Sequence, residues 1–349
     1  MLRSTFKNFY NLWLLTYWRM NAMTIIHDEI FCEKLSYPLV AFWELTRKCN
    51  LSCRHCYTHS FQQGFQLEKQ ELFKILKILC SKKIFSIGLG GGEPLIVKEV
   101  VEIASYAYDN GIDVSISTNG TPLTSKKARA LKNAGVSLVQ VSIDGNHATH
   151  DYIRGDGNHE KAFRAISILR DEGIVTRVGF TVNRLNYSEI ENVFKQTQEI
   201  GADWFIAFRY MSSGREGDEL ALSQEQLQQT TTTLMALQTD HPQKVFFEKL
   251  LFFPYLIGDQ YRSRKICNAG KSILNIKADG NVTPCPHMST PVVGNILRDD
   301  FDTIWNDPRM TLDHTLSGKC RPCAYKESCG GGCMGVLNQN LGRDPLCWI

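Results

Sequence analysis

A chain of 349 residues, 43% of them apolar, can bury a sizeable core, as one large domain plus a smaller one or as two modest domains. Its formal charge of +3 is spread without long basic runs, so charge gives no ground for nucleic acid or a membrane surface as partner. Twelve cysteines, three within residues 49–56 and seven within residues 267–347, are too clustered, in too long a chain, for a small secreted disulfide scaffold; they predict metal ligation in a reducing cytoplasm.

The chain opens on an extension, residues 1–37, rich in aromatic residues such as Phe6, Phe9, Trp13 and Trp18. Its apolar run is too short to cross a bilayer, and no transmembrane segment is expected. An interfacial helix, a peptide-contact arm, or sequence upstream of a start at Met20 or Met23 are the readings open for it. From about residue 38, apolar strands alternate with helical spacing. The strands read Val40–Thr46, Ile84–Gly90, Asp113–Thr118, Leu138–Ile143, Arg177–Val182 and Trp204–Tyr210. Between the first two, Leu72, Ile75, Leu76 and Leu79 mark one helix face. Six such units predict an α/β fold, a partial (β/α)6 TIM-type barrel over residues 38–240. Residues 241–266, with the aromatic segment Phe246 to Tyr255, read as a bridge. Residues 267–349, rich in glycine, proline and cysteine, read as a small domain fixed by clusters more than by a core.

Cys49-x3-Cys53-x2-Cys56 follows the first strand directly, which puts three thiolates at the carboxyl end of a barrel strand, where such folds place their chemistry. A structural zinc site wants a fourth protein ligand and paired spacing. A four-iron cluster held by three cysteines leaves one iron open to an exogenous ligand. Here the chain resembles the radical S-adenosylmethionine superfamily, whose signature is a Cys-x3-Cys-x-aromatic-Cys loop. His55 stands at the aromatic position and Tyr57 follows the last cysteine, so the resemblance places both beside the cofactor.

The resemblance implies further contacts. Gly91, Gly92 and Glu93, followed by Pro94, match the family's Gly-Gly-Glu-Pro turn, where backbone groups and the carboxylate receive the methionyl ammonium. Ser117, Thr118 and Asn119 match its ribose contacts, and Ser142 and Arg154 its contacts to the methionyl carboxylate. The implied chemistry is reductive cleavage of S-adenosylmethionine at a [4Fe-4S] cluster, giving a 5′-deoxyadenosyl radical that abstracts hydrogen from carbon. A flavodoxin- or ferredoxin-type protein would supply the electron.

The second group reads Cys267-x17-Cys285, then Cys320-x2-Cys323-x5-Cys329-x3-Cys333-x13-Cys347, with Gly280 five positions before Cys285. It resembles the SPASM extension of the same superfamily. By that resemblance Cys320, Cys323, Cys329 and Cys347 close one auxiliary cluster, and Cys267, Cys285 and Cys333 hold a second, both expected to be [4Fe-4S]. The second set is one ligand short, because Asn268 to Leu274 contain no further cysteine; a non-cysteine ligand or an open iron completes it. Cys80, on an apolar helix face, reads as a hydrophobe, and Cys32 has no assignment.

Auxiliary clusters can carry away the electron that a substrate radical must lose, so the expected reaction is a net oxidation. Relatives of this kind commonly crosslink or dehydrogenate ribosomally made peptides, which makes a precursor peptide the leading substrate. Sulfatase-type formylglycine formation fits less well, because Pro286 and His287 follow Cys285 where such relatives carry aspartate. The runner-up is oxidation of a tetrapyrrole side chain in haem or haem d1 assembly, although Met334-Gly335-Val336 replaces an arginine-containing segment expected there. A non-catalytic electron-transfer protein is the third reading. With too few residues before the barrel for a winged-helix leader-binding module, leader recognition is expected to use a separate protein, the aromatic arm or the bridge. His147, His150 and His159 near the mouth are weak acid–base candidates.

Overall fold

The computed structural model describes residues 34–212, 215–248, 267–311, 318, 320–333, 335 and 346–347. The aromatic stretch near the amino terminus and Cys32 lie outside the described residues, as does most of the segment Phe246 to Tyr255.

Each of the six expected units appears as a strand followed by helix. They are β1 (Val40–Thr46) with α1 (Lys69–Ser81), β2 (Ser86–Gly91) with α2 (Val100–Asp109), and β3 (Asp113–Thr118) with α3 (Ser125–Asn133). Then follow β4 (Val136–Ser142) with α4 (His147–Arg154) and α5 (Asn158–Asp171), β5 (Val175–Val182) with α6 (Ile190–Glu199), and β6 (Trp204–Arg209) with α7 (Gln224–Asp240). In α1 the buried residues are Leu72, Ile75, Leu76 and Leu79, the stripe expected when every third or fourth residue meets the sheet. Cys80 is partly buried and packs against the same core. Residues facing the helices are sealed: Val139, Val141, Val178, Phe180 and Val182 are all 0% exposed. Their neighbours in sequence point the other way, into the barrel, because side chains alternate along a strand.

The sheet is larger than six strands. β7 (Val245–Phe247) pairs in parallel with β6, and β8 (Ile273–Ile276) pairs in parallel with β1, register Val40↔Ile273 to Trp43↔Ile276. β9 (Asn281–Thr283) and β10 (Gly294–Asn295) continue it antiparallel, in the order β10-β9-β8-β1-β2-β3-β4-β5-β6-β7. The cysteine-rich part is thus joined to the barrel by backbone hydrogen bonds.

The β8–β9 turn explains the Gly-x4-Cys spacing. Gly280 has φ +83, a conformation costly for residues with a Cβ, and its N–H donates to the Lys277 carbonyl (2.9 Å). The hairpin returns the chain along β8 and delivers Cys285 just beyond β9. The indole of Trp305, on α8 (Phe301–Asn306) and fully buried, donates to the Leu35 carbonyl at 2.9 Å.

Candidate active site

The cysteine loop is strapped to the carboxyl ends of β1 and β2. The Gly92 N–H donates to the Thr46 carbonyl (2.7 Å), Glu93 N–H to the Lys48 carbonyl (2.9 Å) and Cys49 N–H to the Phe61 carbonyl (3.0 Å). Such close approach requires glycine. Gly91 has φ +103, and a Cβ on Gly92 would overlap the Lys48 carbonyl. A Gly92→Ala variant is therefore expected to displace the loop and lose about 1–3 kcal/mol of stability. A lower unfolding midpoint together with loss of iron from the first cysteine site is the expected result; an unchanged midpoint and iron content would show that the turn has slack.

Glu93, expected to meet an ammonium group, has its carboxylate committed within the protein. It accepts from Thr118 Oγ1 (2.7 Å), Asn119 N–H (2.8 Å) and Leu95 N–H (2.9 Å) and is fully buried. Burial raises its pKa above the usual carboxylate range despite those donors. It ties the end of β2 to the end of β3 and leaves the backbone of Gly90 to Gly92 on the cavity wall. Asn119 in turn reaches Asn50 Oδ1 (3.0 Å) and the Cys49 sulfur (3.9 Å).

Across the loop stands a residue that sequence reasoning missed. Asp144, fully buried, accepts from Arg154 Nε and from Thr181 N–H (2.7 Å), and its Oδ2 lies 2.8 Å from His55 Nε2. Burial opposes the charged carboxylate, but Arg154 and His55 outweigh it and hold Asp144 well below its usual range. The same pairing keeps Arg154 firmly charged against its own burial. Arg154 Nη1 comes to 3.9 Å from the Cys53 sulfur and Nη2 to 3.3 Å from His55. The signal in sequence was an acid two residues after Ser142, masked because Asp144-Gly145 reads as an ordinary turn.

His150 supports this cluster from behind. Its Nδ1 accepts from the Asp144 N–H (3.1 Å), and it is 1% exposed, with burial, then Arg154, bringing its pKa down to about 3. His147 is exposed and lies 3.9 Å from Asp151, while His159 stacks on Phe163. None of the three lines the cavity described below. Because His150 binds its proton in the unfolded chain near pH 6.5 and in the folded chain only near 3, it makes stability fall as pH drops through that window. Between pH 6.5 and 5.5 His150→Gln is expected to remove about 1 kcal/mol of that fall. Unfolding midpoints of anaerobic wild type and variant at pH 7.5, 6.5 and 5.5 check this; parallel slopes would contradict it.

A cavity of about 350 Å³ opens at this end of the sheet, and six cysteines line it: Cys49, Cys53 and Cys56 on one side, Cys267, Cys285 and Cys333 on the other. Ser117, Asn119, Ser142, Arg154, His55 and Tyr57 line it as well. The thiols sense one another in the same two sets. Burial, then Glu93, Cys53 and Cys56, pushes Cys49 up to about 11, and burial followed by Cys333 and Cys267 pushes Cys285 well above the usual thiol range. Tyr57 and His287 meet between the sets, ring centroids 5.5 Å apart. Cys320, Cys323 and Cys329 lie off the cavity on one loop, tightened by Cys323 N–H to the Cys320 carbonyl (3.1 Å) and ending in α9 (Lys326–Cys329).

This donor set fits iron–sulfur ligation. Among the described residues no three His, Cys, Asp or Glu side chains converge on one metal-ion point. Cluster thiolates each bind a different iron and need no such convergence. Soft sulfurs become thiolates when iron supplies the positive charge.

A parallel barrel-type sheet with three clustered thiols at its mouth and a cysteine-rich extension paired to its first strand defines an iron–sulfur enzyme class. The model of the radical SAM superfamily matches residues 43–197, and that of SPASM, an iron–sulfur cluster-binding domain, matches residues 267–334. The AdoMet-dependent heme synthase of Methanosarcina barkeri is 31% identical over 337 residues, covering 89% of this chain and 96% of that protein. The mycofactocin maturase MftC of Mycolicibacterium smegmatis is 30% identical over 337 residues, covering 91% of this chain and 85% of that protein. In fold, the chain is similar to Streptococcus suis SuiB bound to its precursor peptide SuiA, with TM-score 0.75 and 17% identity, over 90% of this chain and 77% of that one. The chain belongs to the radical S-adenosylmethionine superfamily, as an enzyme with a SPASM domain. No helix among the described residues is long and apolar enough to cross a membrane.

Proposed function

We propose that this enzyme oxidises residues of a ribosomally made peptide, crosslinking or dehydrogenating them, with S-adenosylmethionine at a [4Fe-4S] cluster on Cys49, Cys53 and Cys56. The observation that carries this reading is the shared cavity: the thiols of the first site and Cys267, Cys285 and Cys333 of the second border one space. A substrate there meets a hydrogen-abstracting site on one side and an electron acceptor on the other. When bound, the cluster and S-adenosylmethionine supply hydrogen-atom abstraction from an unactivated carbon.

The protein's own residues position and enclose. The backbone of Gly91 and Gly92 offers carbonyls toward an ammonium group, with Glu93 holding that turn in place from beneath. Arg154, oriented by Asp144 and leaning on Cys53, and Ser142 receive a carboxylate; Ser117 and Asn119 face a ribose. His55 and Tyr57 wall the cofactor side. Cys267, Cys285 and Cys333 would hold one auxiliary cluster, and Cys320, Cys323, Cys329 and Cys347 the other. The barrel, residues 38–240, thus does the radical chemistry, the segment 241–266 bridges, and residues 267–349 handle electrons. A flavodoxin- or ferredoxin-type donor and a separate leader-binding protein complete the system, and a reducing cytoplasm suits its unpaired thiols.

For a peptide, the wall offers unmet acceptors. Gln140 Oε1 and Asn275 Oδ1 are buried without hydrogen-bond donors, and both residues line the cavity, where amide N–H groups would satisfy them. The similarity to a heme synthase over nearly its whole length keeps tetrapyrrole side-chain oxidation as the second reading. The test is mass spectrometry of anaerobic reactions containing S-adenosylmethionine, a reductant and either a precursor peptide encoded beside the gene or an iron-coproporphyrin. Loss of hydrogen from the peptide supports the first reading. Turnover of the tetrapyrrole with the peptide unchanged would replace it with the second.

A further inference from the structure

Arg177 is a buried cation that the functions assigned above do not use. It sits on β5 with Gly179 and Thr181 on the inward side of that strand, lines the cavity, and is 8% exposed. Its Nε is buried with no hydrogen-bond partner. Burial brings its pKa down to about 10, with Glu248 the charge that acts against that shift. Arg154, on the same wall, is matched by Asp144, and Lys277 nearby by Glu44 at 2.8 Å; Arg209 also lines the cavity, one strand further along, on β6. A buried guanidinium left with an unmet donor costs free energy unless a ligand meets it.

The neighbourhood of Arg177 is a built recess. In the β4–β5 register Arg177 lies directly opposite Gln140, and Ser142 opposite Gly179. Arg177 therefore stands one inward layer deeper than Ser142, below the residues assigned to the cofactor. Gly179 makes the room: a Cβ there would come within 2.7 Å of Gln140 Nε2, so the Gln140 side chain lies across the glycine beside Arg177. One guanidinium with an unmet donor on the cavity wall matches a planar monoanion.

We propose that Arg177, with Gln140 beside it, receives a carboxylate of the substrate at the floor of the cavity. This rests on the cavity being the substrate chamber of the preceding section and names the group by which the substrate is anchored. The anchored carboxylate sits beneath the cofactor residues and directs the carbon chain above it toward the first cysteine site. A peptide could present its terminal or side-chain carboxylate, and a tetrapyrrole its acidic side chains; the recognition chemistry is shared.

The test uses anaerobically reconstituted full-length enzyme and equilibrium dialysis with three acids and their neutral counterparts. These are propionate against propionamide, N-acetylalanine against N-acetylalaninamide, and coproporphyrin III against its tetramethyl ester. At least one acid is expected to bind about tenfold or more tightly than its counterpart. That preference should vanish in Arg177→Gln and partly survive in Arg177→Lys, with iron content and S-adenosylmethionine affinity unchanged in both. No acid preference in the wild type, a preference intact in Arg177→Gln, or loss of S-adenosylmethionine affinity in both variants would each overturn the proposal. Preference for coproporphyrin with none for N-acetylalanine would sustain the carboxylate anchor while removing the peptide reading.

Discussion

A Cys53→Ala variant is expected to release no 5′-deoxyadenosine when reduced and given S-adenosylmethionine, and to bind about four fewer irons than wild type. Cys53 is the middle thiol of the loop, 9% exposed, with the Arg154 guanidinium beside its sulfur. Alanine leaves two thiolates, too few to retain a cubane with one vacant iron. The rest of the protein should persist, because the loop is held by backbone bonds through Cys49, Gly92 and Glu93 that Cys53 does not make. The auxiliary irons should therefore remain, which separates loss of a ligand from general unfolding. Continued 5′-deoxyadenosine formation in this variant would refute the assignment of the first site.

Asp144→Asn is expected to have the largest effect on stability of any single substitution near the site. The Asp144–Arg154 pair is buried, with Asp144 at 0% and Arg154 at 11% side-chain exposure, and removing the acid strands a guanidinium that has no other carboxylate partner among the described residues. Breaking one side of such a pair costs about 3–5 kcal/mol, whereas removing both partners costs less because no charge is left unmatched. The double variant Asp144→Asn, Arg154→Met should accordingly unfold at a higher temperature than Asp144→Asn alone, while S-adenosylmethionine affinity falls in both. Additive losses of stability would show that the two side chains act independently.

Much of the barrel was legible because periodicity records which side of a strand or helix is wet. β1 and β3 fall at the expected residues, and the α1 stripe is the expected one. β7 and β8 were not legible as parallel strands: Val245–Phe247 and Ile273–Ile276 are too short to show a period, and β8 is buried on both sides at the junction with the extension. The cysteines announced themselves by spacing. The inward residues did not, although a trace exists: Glu44, Gln140, Arg177 and Asn275 each place a large polar group between apolar neighbours or one residue from them within a strand. Such a side chain is either an error of register or the wall of a site. Asp144 needed the fold, since its partners Arg154 and His55 are brought to it by α4 and by the cysteine loop.

The proposed oxidation needs a way for electrons to leave the chamber. β8, paired to β1, and the Gly280 turn bring Cys267 and Cys285 to the cavity that Cys49, Cys53 and Cys56 border, and the proposed oxidation sets its hydrogen-abstracting site and its electron acceptor on these two walls. The most direct test is an iron count on anaerobically reconstituted protein, with and without replacement of Cys267, Cys285 and Cys333 by alanine. The account predicts about twelve irons in the wild type and about eight in the triple variant. The variant should still cleave S-adenosylmethionine but no longer complete a substrate oxidation. About four irons in the wild type, unaffected by the replacement, would contradict it.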